Sequence, residues 1–145
     1  MPVPAAKPIR IMIVEDHPVF REVLGMIIAS QADMLLVNQT ANAEECLEAY
    51  RRIRPDVVLM DQRLPGASGT DALIGIHSEF PLARVMMFTS SGGQDEIQRA
   101  LQAGAVAYCL KTTARDELLR TIRNVAAGRT HILTGIGDPV TGKLE

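Results

Sequence analysis

The chain has 145 residues, 47% of them hydrophobic and 22% charged, with a formal net charge of −2. That length fits one globular domain with a substantial core and excludes an intrinsically disordered chain. The near-neutral charge argues against gripping nucleic acid or an anionic membrane by bulk electrostatics, and 3% aromatics with no Trp leaves no base-stacking platform. Two cysteines, Cys46 and Cys109, are too few for a disulfide framework and read as small core residues of a cytoplasmic protein. No apolar run reaches the roughly 18 residues of a membrane span.

Residues 1–8, MPVPAAKP, are Pro-rich, lack an apolar signal core and are expected to be disordered. Residues 9–14, IRIMIV, form a first apolar run, ended by Glu15-Asp16-His17-Pro18. Pro18 suits the first turn of a helix, with Asp16 or His17 at its boundary. Val19, Phe20, Val23, Leu24, Ile27 and Ile28 recur at helical spacing and are expected inward. Residues 34–37, MLLV, are a second run. Residues 42–53 follow as a helix capped by Asn42, with Cys46, Leu47, Tyr50 and Ile53 inward.

Arg54-Pro55-Asp56 breaks that helix, and VVLM at 57–60 is a third run ending at Asp61. A loop with Pro65, Gly66 and Gly69 precedes a weak helix over 70–79. VMMF at 85–88 is a fourth run ending at Thr89, followed by a helix over 94–103. VAYCL at 106–110 is a fifth, ending at Lys111, and residues 113–127 carry a last helical stripe. Residues 129–145 have no helical stripe and are expected to be a linker or tail.

Five runs apolar throughout, alternating with five helices, describe an α/β domain over 9–128. Its parallel sheet is doubly wound, with helices on both faces. Glu15, Asp16, Asp61, Thr89 and Lys111 then all fall at carboxyl ends of strands, the edge where such sheets bind ligands. Three carboxylates there repel one another, and a hard divalent cation such as Mg²⁺ resolves the repulsion. An Asp can act as a nucleophile toward a phosphoryl group, Lys111 can pair a phosphate oxygen, and the Thr89 hydroxyl can donate to another.

Two other features carry less. Gly137–Lys143 has the spacing of a phosphate-binding loop, but Leu144 stands where Ser or Thr is required and no strand precedes it. His17, His77 and His131 are scattered without metal-ligand spacing.

The segments IMIVEDHP (11–18), VVLMDQRLPGASG (57–69), MMFTSSGG (86–93) and AYCLKTTARDEL (107–118) together resemble the receiver domain of two-component response regulators. EDHPVFREVL and VAAGRTHI resemble the branch that carries a LuxR-type helix-turn-helix. The resemblance implies a flavodoxin-like five-stranded sheet of order 2-1-3-4-5 with five helices. It implies Asp61 as acceptor of a phosphoryl group from a sensor histidine kinase, and Mg²⁺ held by Asp16, Asp61, the Arg63 carbonyl and, through water, Glu15. It further implies Thr89 as switch hydroxyl, Tyr108 as the aromatic that turns inward with it, and Lys111 as the phosphate partner. The expected output is a changed surface over the fourth helix, fifth strand and fifth helix. That surface would drive homodimerisation or release a DNA-binding domain that this chain lacks, leaving an excised or a stand-alone receiver as alternatives.

Glu15 departs from the family's commoner Asp, and Thr112 from its Pro after the lysine. Two other functions compete. A phosphatase of the haloacid-dehalogenase class also uses a strand-end Asp, but needs an acid two residues on, where this chain has Arg63. A phosphorylation-independent scaffold would have no use for the full acidic set.

Overall fold

A computed structural model describes residues 7–90, 93–129 and the backbone of 131–134. The first six residues, Ser91 and Gly92 of the fourth connection, and the Gly137–Lys143 segment lie outside the described residues. The elements are β1 (Ile9–Val14), α1 (Pro18–Ala29), β2 (Met34–Thr40), α2 (Ala43–Ile53), β3 (Val57–Asp61) and α3 (Gly69–Glu79). They continue with β4 (Val85–Thr89), α4 (Gln94–Gln102), β5 (Ala107–Leu110), α5 (Arg115–Ala126) and β6 (His131–Thr134).

All adjacent strands pair in parallel, in the order β2-β1-β3-β4-β5-β6. The first five reproduce the expected 2-1-3-4-5 arrangement. The sixth is an addition, drawn from the stretch expected to be linker. Gly128, at φ +89, turns the chain after α5, and β6 then pairs with the outer edge of β5. An unpaired strand edge offers free backbone donors and acceptors, so even a four-residue segment can be recruited to it. A run that short, flanked by glycine, carries no sequence signal of its own.

Strand side chains alternate between two cores, as a pleat with period 2 requires. Ile11, Ile13, Leu59, Met86, Phe88 and Cys109 pack beneath α1 and α5 with Leu24, Ile28, Leu118 and Ile122. Met12, Val14, Met60, Met87 and Tyr108 pack beneath α2, α3 and α4 with Cys46, Tyr50, Leu73, Ile76 and Ile97. Both cysteines are buried and unbridged, as expected, and burial pushes the Cys46 thiol up to about 12. Among the described residues no helix is long and apolar enough to cross a membrane.

The α1 stripe differs from expectation. Leu24 and Ile28 are buried, but Val19 is 73% exposed and Val23 43%. Gly25 is buried against β2, where an added Cβ would come within 2.8 Å of Gln39 Nε2. Val19, Val23 and Met26 form the outward flank of the helix.

Caps follow their chemistry. Asn42 accepts from the Glu45 N–H at the start of α2, and Ser68 with Asp71 forms a capping box on α3. His17 precedes α1 with Pro18 at its first position.

Candidate phosphoacceptor site

The strand order reverses between β1 and β3, and the crevice outside their carboxyl ends is the binding position of such sheets. β1 delivers Glu15 and Asp16 there, β3 delivers Asp61, β4 delivers Thr89, and Lys111 follows β5. Backbone bonds between neighbouring strand ends hold them level. The Glu15 N–H donates to Thr40 O at 3.0 Å, Gln62 N–H to Phe88 O at 2.8 Å, and Lys111 N–H to Thr89 O at 2.8 Å.

Glu15 and Asp61 are almost fully buried, with side chains 1% and 2% exposed. Lys111 lies between them, its Nζ 2.8 Å from Glu15 Oε1 and 3.1 Å from Asp61 Oδ2. The Phe20 ring beneath, 4.8 Å from the ammonium, adds a cation–π contact. The Arg63 N–H donates to Asp61 Oδ1 at 3.2 Å. Glu15 Oε2 accepts from the His17 N–H at 3.0 Å and stands 2.8 Å from His17 Nδ1. Arg21 donates to the Glu15 carbonyl at 2.7 Å.

One ammonium cannot serve two buried carboxylates equally. Burial pushes both carboxyls up. At Glu15 the hydrogen bonds from Lys111 and His17 outweigh burial and hold it below the ordinary range. At Asp61 burial prevails over Arg63 and Lys111, and the neighbouring Glu15 charge adds to it, so its carboxyl is raised. The pair therefore places its less stabilised charge on Asp61. Burial pulls the Lys111 ammonium down, but both carboxylates overcome that and raise it. A poorly solvated carboxylate beside a firmly charged lysine is suited to attack an electrophile that carries negative oxygens.

One donor atom each from Glu15, Asp16, His17 and Asp61 lies within 4.8 Å of the others. Asp16 Oδ1 is screened from water and has no hydrogen-bond partner. A buried oxygen without a donor, among carboxylates that repel, fits a divalent cation. Glu15, Asp16, Asp61 and Lys111, predicted from sequence, are thus brought together, and Thr89 lies buried at the end of the adjacent strand.

Tyr108 lies inward on β5. Its ring is fully buried in the cluster containing Ile97 and Ala100, and burial pushes its phenol up to about 12. The ring packs inward against α4.

Two positions carry more than their sequence reading. An added Cβ on Gly69 would come within 2.1 Å of the Asp61 carbonyl, so only glycine lets α3 start this close to β3. Gly69 N–H also donates to Gln62 O at 2.8 Å, which ties the loop back. The sequence signal was limited to its place in a glycine-punctuated loop. His17, scattered by spacing, lies inside the carboxylate cluster. Its adjacency to the acidic pair was the available clue. His77, in contrast, is a boundary residue, half-buried with Nε2 2.9 Å from Ala83 O.

The molecule is a doubly wound parallel α/β domain with two buried carboxylates, a third half-buried beside them and a lysine at its switch point. The response regulator receiver domain model matches residues 11–123, and the chain belongs to that family, the receivers of two-component systems. The chain is 32% identical to the transcriptional regulatory protein MctR of Rhizobium johnstonii over 93% of this chain and 63% of that one. It is 37% identical to the uncharacterized transcriptional regulatory protein YhcZ of Bacillus subtilis over 88% and 59%. To the nitrate/nitrite response regulator NarL of Escherichia coli it is 29% identical over 84% and 56%. The chain thus spans 56% to 63% of the length of these relatives.

Among solved structures, a LuxR-family two-component response regulator from Aurantimonas sp. matches with a TM-score of 0.84. It is 33% identical, and 94% of each chain is covered. The receiver domain of a NarL regulator from Mycobacterium tuberculosis matches at 0.82 and 27% identity, over 86% of this chain and 100% of that one.

Proposed function

We propose that Asp61 accepts a phosphoryl group from the phosphohistidine of a sensor histidine kinase. The observation that carries this reading is the buried Asp61 carboxylate with Lys111 Nζ 3.1 Å away. Burial makes Asp61 a less stabilised anion, and Lys111 is placed to compensate the phosphoryl oxygens. An Asp61 oxygen forms the new O–P bond as the histidine N–P bond breaks, and the electron pair leaves with the imidazole nitrogen. Mg²⁺, when bound, supplies the positive charge that offsets the phosphoryl oxygens. Asp16, Asp61, the Arg63 carbonyl and, through water, Glu15 are the groups that would hold it.

Phosphorylation changes what Lys111 and Thr89 face. Lys111 trades a carboxylate oxygen for a phosphoryl oxygen, and the Thr89 hydroxyl donates to another. Thr89 is drawn toward the phosphoryl group, and the Tyr108 ring is held inward beside it. The output is a changed α4–β5–α5 surface that drives homodimerisation or releases a DNA-binding domain. The relatives named as transcriptional regulators support that output. Arg63 stands where a phosphatase would need an acid, so the aspartyl phosphate persists instead of turning over as an enzyme intermediate. The protein operates in the cytoplasm.

Beryllium fluoride with Mg²⁺, a mimic of the aspartyl phosphate, tests the switch. The backbone amide resonances of residues 89–111 are expected to shift. Unchanged amides across that segment, with Asp61 demonstrably occupied, would contradict the reading.

A further inference from the structure

On sequence spacing His17 has no companion histidine, yet the fold gives it three carboxylates as neighbours. Its Nδ1 lies 2.8 Å from Glu15 Oε2 and 3.4 Å from Asp16 Oδ1. Asp61 closes the group, with one donor atom from each of the four residues within 4.8 Å of the others. Its ring makes no capping bond to α1, so the helix has no claim on it. Asp16 Oδ1, beside the ring, is the oxygen screened from water without a hydrogen-bond partner.

Oxygen-only sets suit Mg²⁺, which is hard and keeps its waters, whereas imidazole nitrogen favours the later first-row divalent ions. We propose that His17 is a nitrogen ligand of the cation site, making it a mixed carboxylate–imidazole site that takes a transition-metal dication such as Co²⁺ or Zn²⁺. Mg²⁺ uses the oxygens alone. The same site thus has two cation modes that differ by one ligand, and His17 sets the preference between them. The inference rests on the phosphoacceptor reading of the site and adds a ligand to it.

The test is calorimetric titration of the folded protein with Mg²⁺ and with Co²⁺, for wild type, His17→Ala and His17→Gln. His17 is 65% exposed, so neither substitution removes core packing. Both variants are expected to lose Co²⁺ affinity by about ten- to a hundredfold. Their Mg²⁺ affinity is expected to stay within about twofold of wild type. Excess Mg²⁺ is expected to displace Co²⁺ from wild type, since the sites are one.

Equal losses for both ions would show that His17 only orients Glu15, and unchanged Co²⁺ affinity would show that it binds nothing; either overturns the proposal. Co²⁺ that Mg²⁺ does not displace also overturns it, because it is held elsewhere. If wild type binds neither ion, the phosphoacceptor site itself fails, which a loss confined to the His17 variants would not imply.

Discussion

Lys111 is the residue on which the site's charge balance turns. It is 12% exposed and bonded to two carboxylates that are more deeply buried still. Lys111→Met leaves both without a cation and is expected to lower unfolding free energy by about 3 kcal/mol. Urea titration at neutral pH measures it.

Asp61→Asn acts the other way. Because the folded Asp61 carboxyl is raised above its ordinary 3.8, its contribution to stability is full below that value and lost as pH rises through the folded one. At neutral pH the amide therefore removes a disfavoured charge, and the variant is expected to be more stable than wild type. The gap should close as the pH falls toward 3.8. Glu15, held below its ordinary 4.5, has the opposite sign: its contribution is present above 4.5 and fades as pH falls through the lowered value. Thermal melts of wild type and Asp61→Asn across the acid range separate the two.

At the scale of elements, α3 contains a paired test of glycine. Gly69→Ala would drive a methyl into the Asp61 carbonyl, a backbone contact that cannot yield without shifting β3 or α3. It is expected to cost about 2 kcal/mol and to slow acceptance of the phosphoryl group. Gly75→Ala, six residues on, meets only Leu47 Cδ2 at 4.0 Å and is expected to stabilise by about 0.5–1 kcal/mol.

The end of α5 is tied to the α1–β2 connection by Arg123, which donates to both carboxylate oxygens of Asp33 at 2.8 and 3.0 Å. Both side chains are roughly half exposed, so Arg123→Ala is expected to cost under about 1 kcal/mol despite the bidentate geometry. Element positions were legible because continuous apolar runs and helical stripes differ in period. The outward flank of α1 was not, since a hydrophobic pattern does not say which half of a wide apolar stripe meets the sheet. Nor was β6, whose pairing comes from the open edge of β5 and not from its own residues.

At the scale of the molecule, the site was legible because topology does the assembling. Once five parallel strands are inferred, the residues ending each of them must meet, however far apart they lie in the chain. Order, spacing and residue type therefore identified Glu15, Asp16, Asp61, Thr89 and Lys111 together. What stayed hidden depends on local packing. The place of His17 in the cluster follows from where α1 begins.

Intact mass after incubation with acetyl phosphate reads the transfer of a phosphoryl group onto Asp61. Wild type is expected to gain one phosphoryl group only when Mg²⁺ is present, and folded Asp61→Asn to gain none. A wild type that binds Mg²⁺ yet shows no adduct at any time point, or an Asp61→Asn variant that still gains one, would contradict the account.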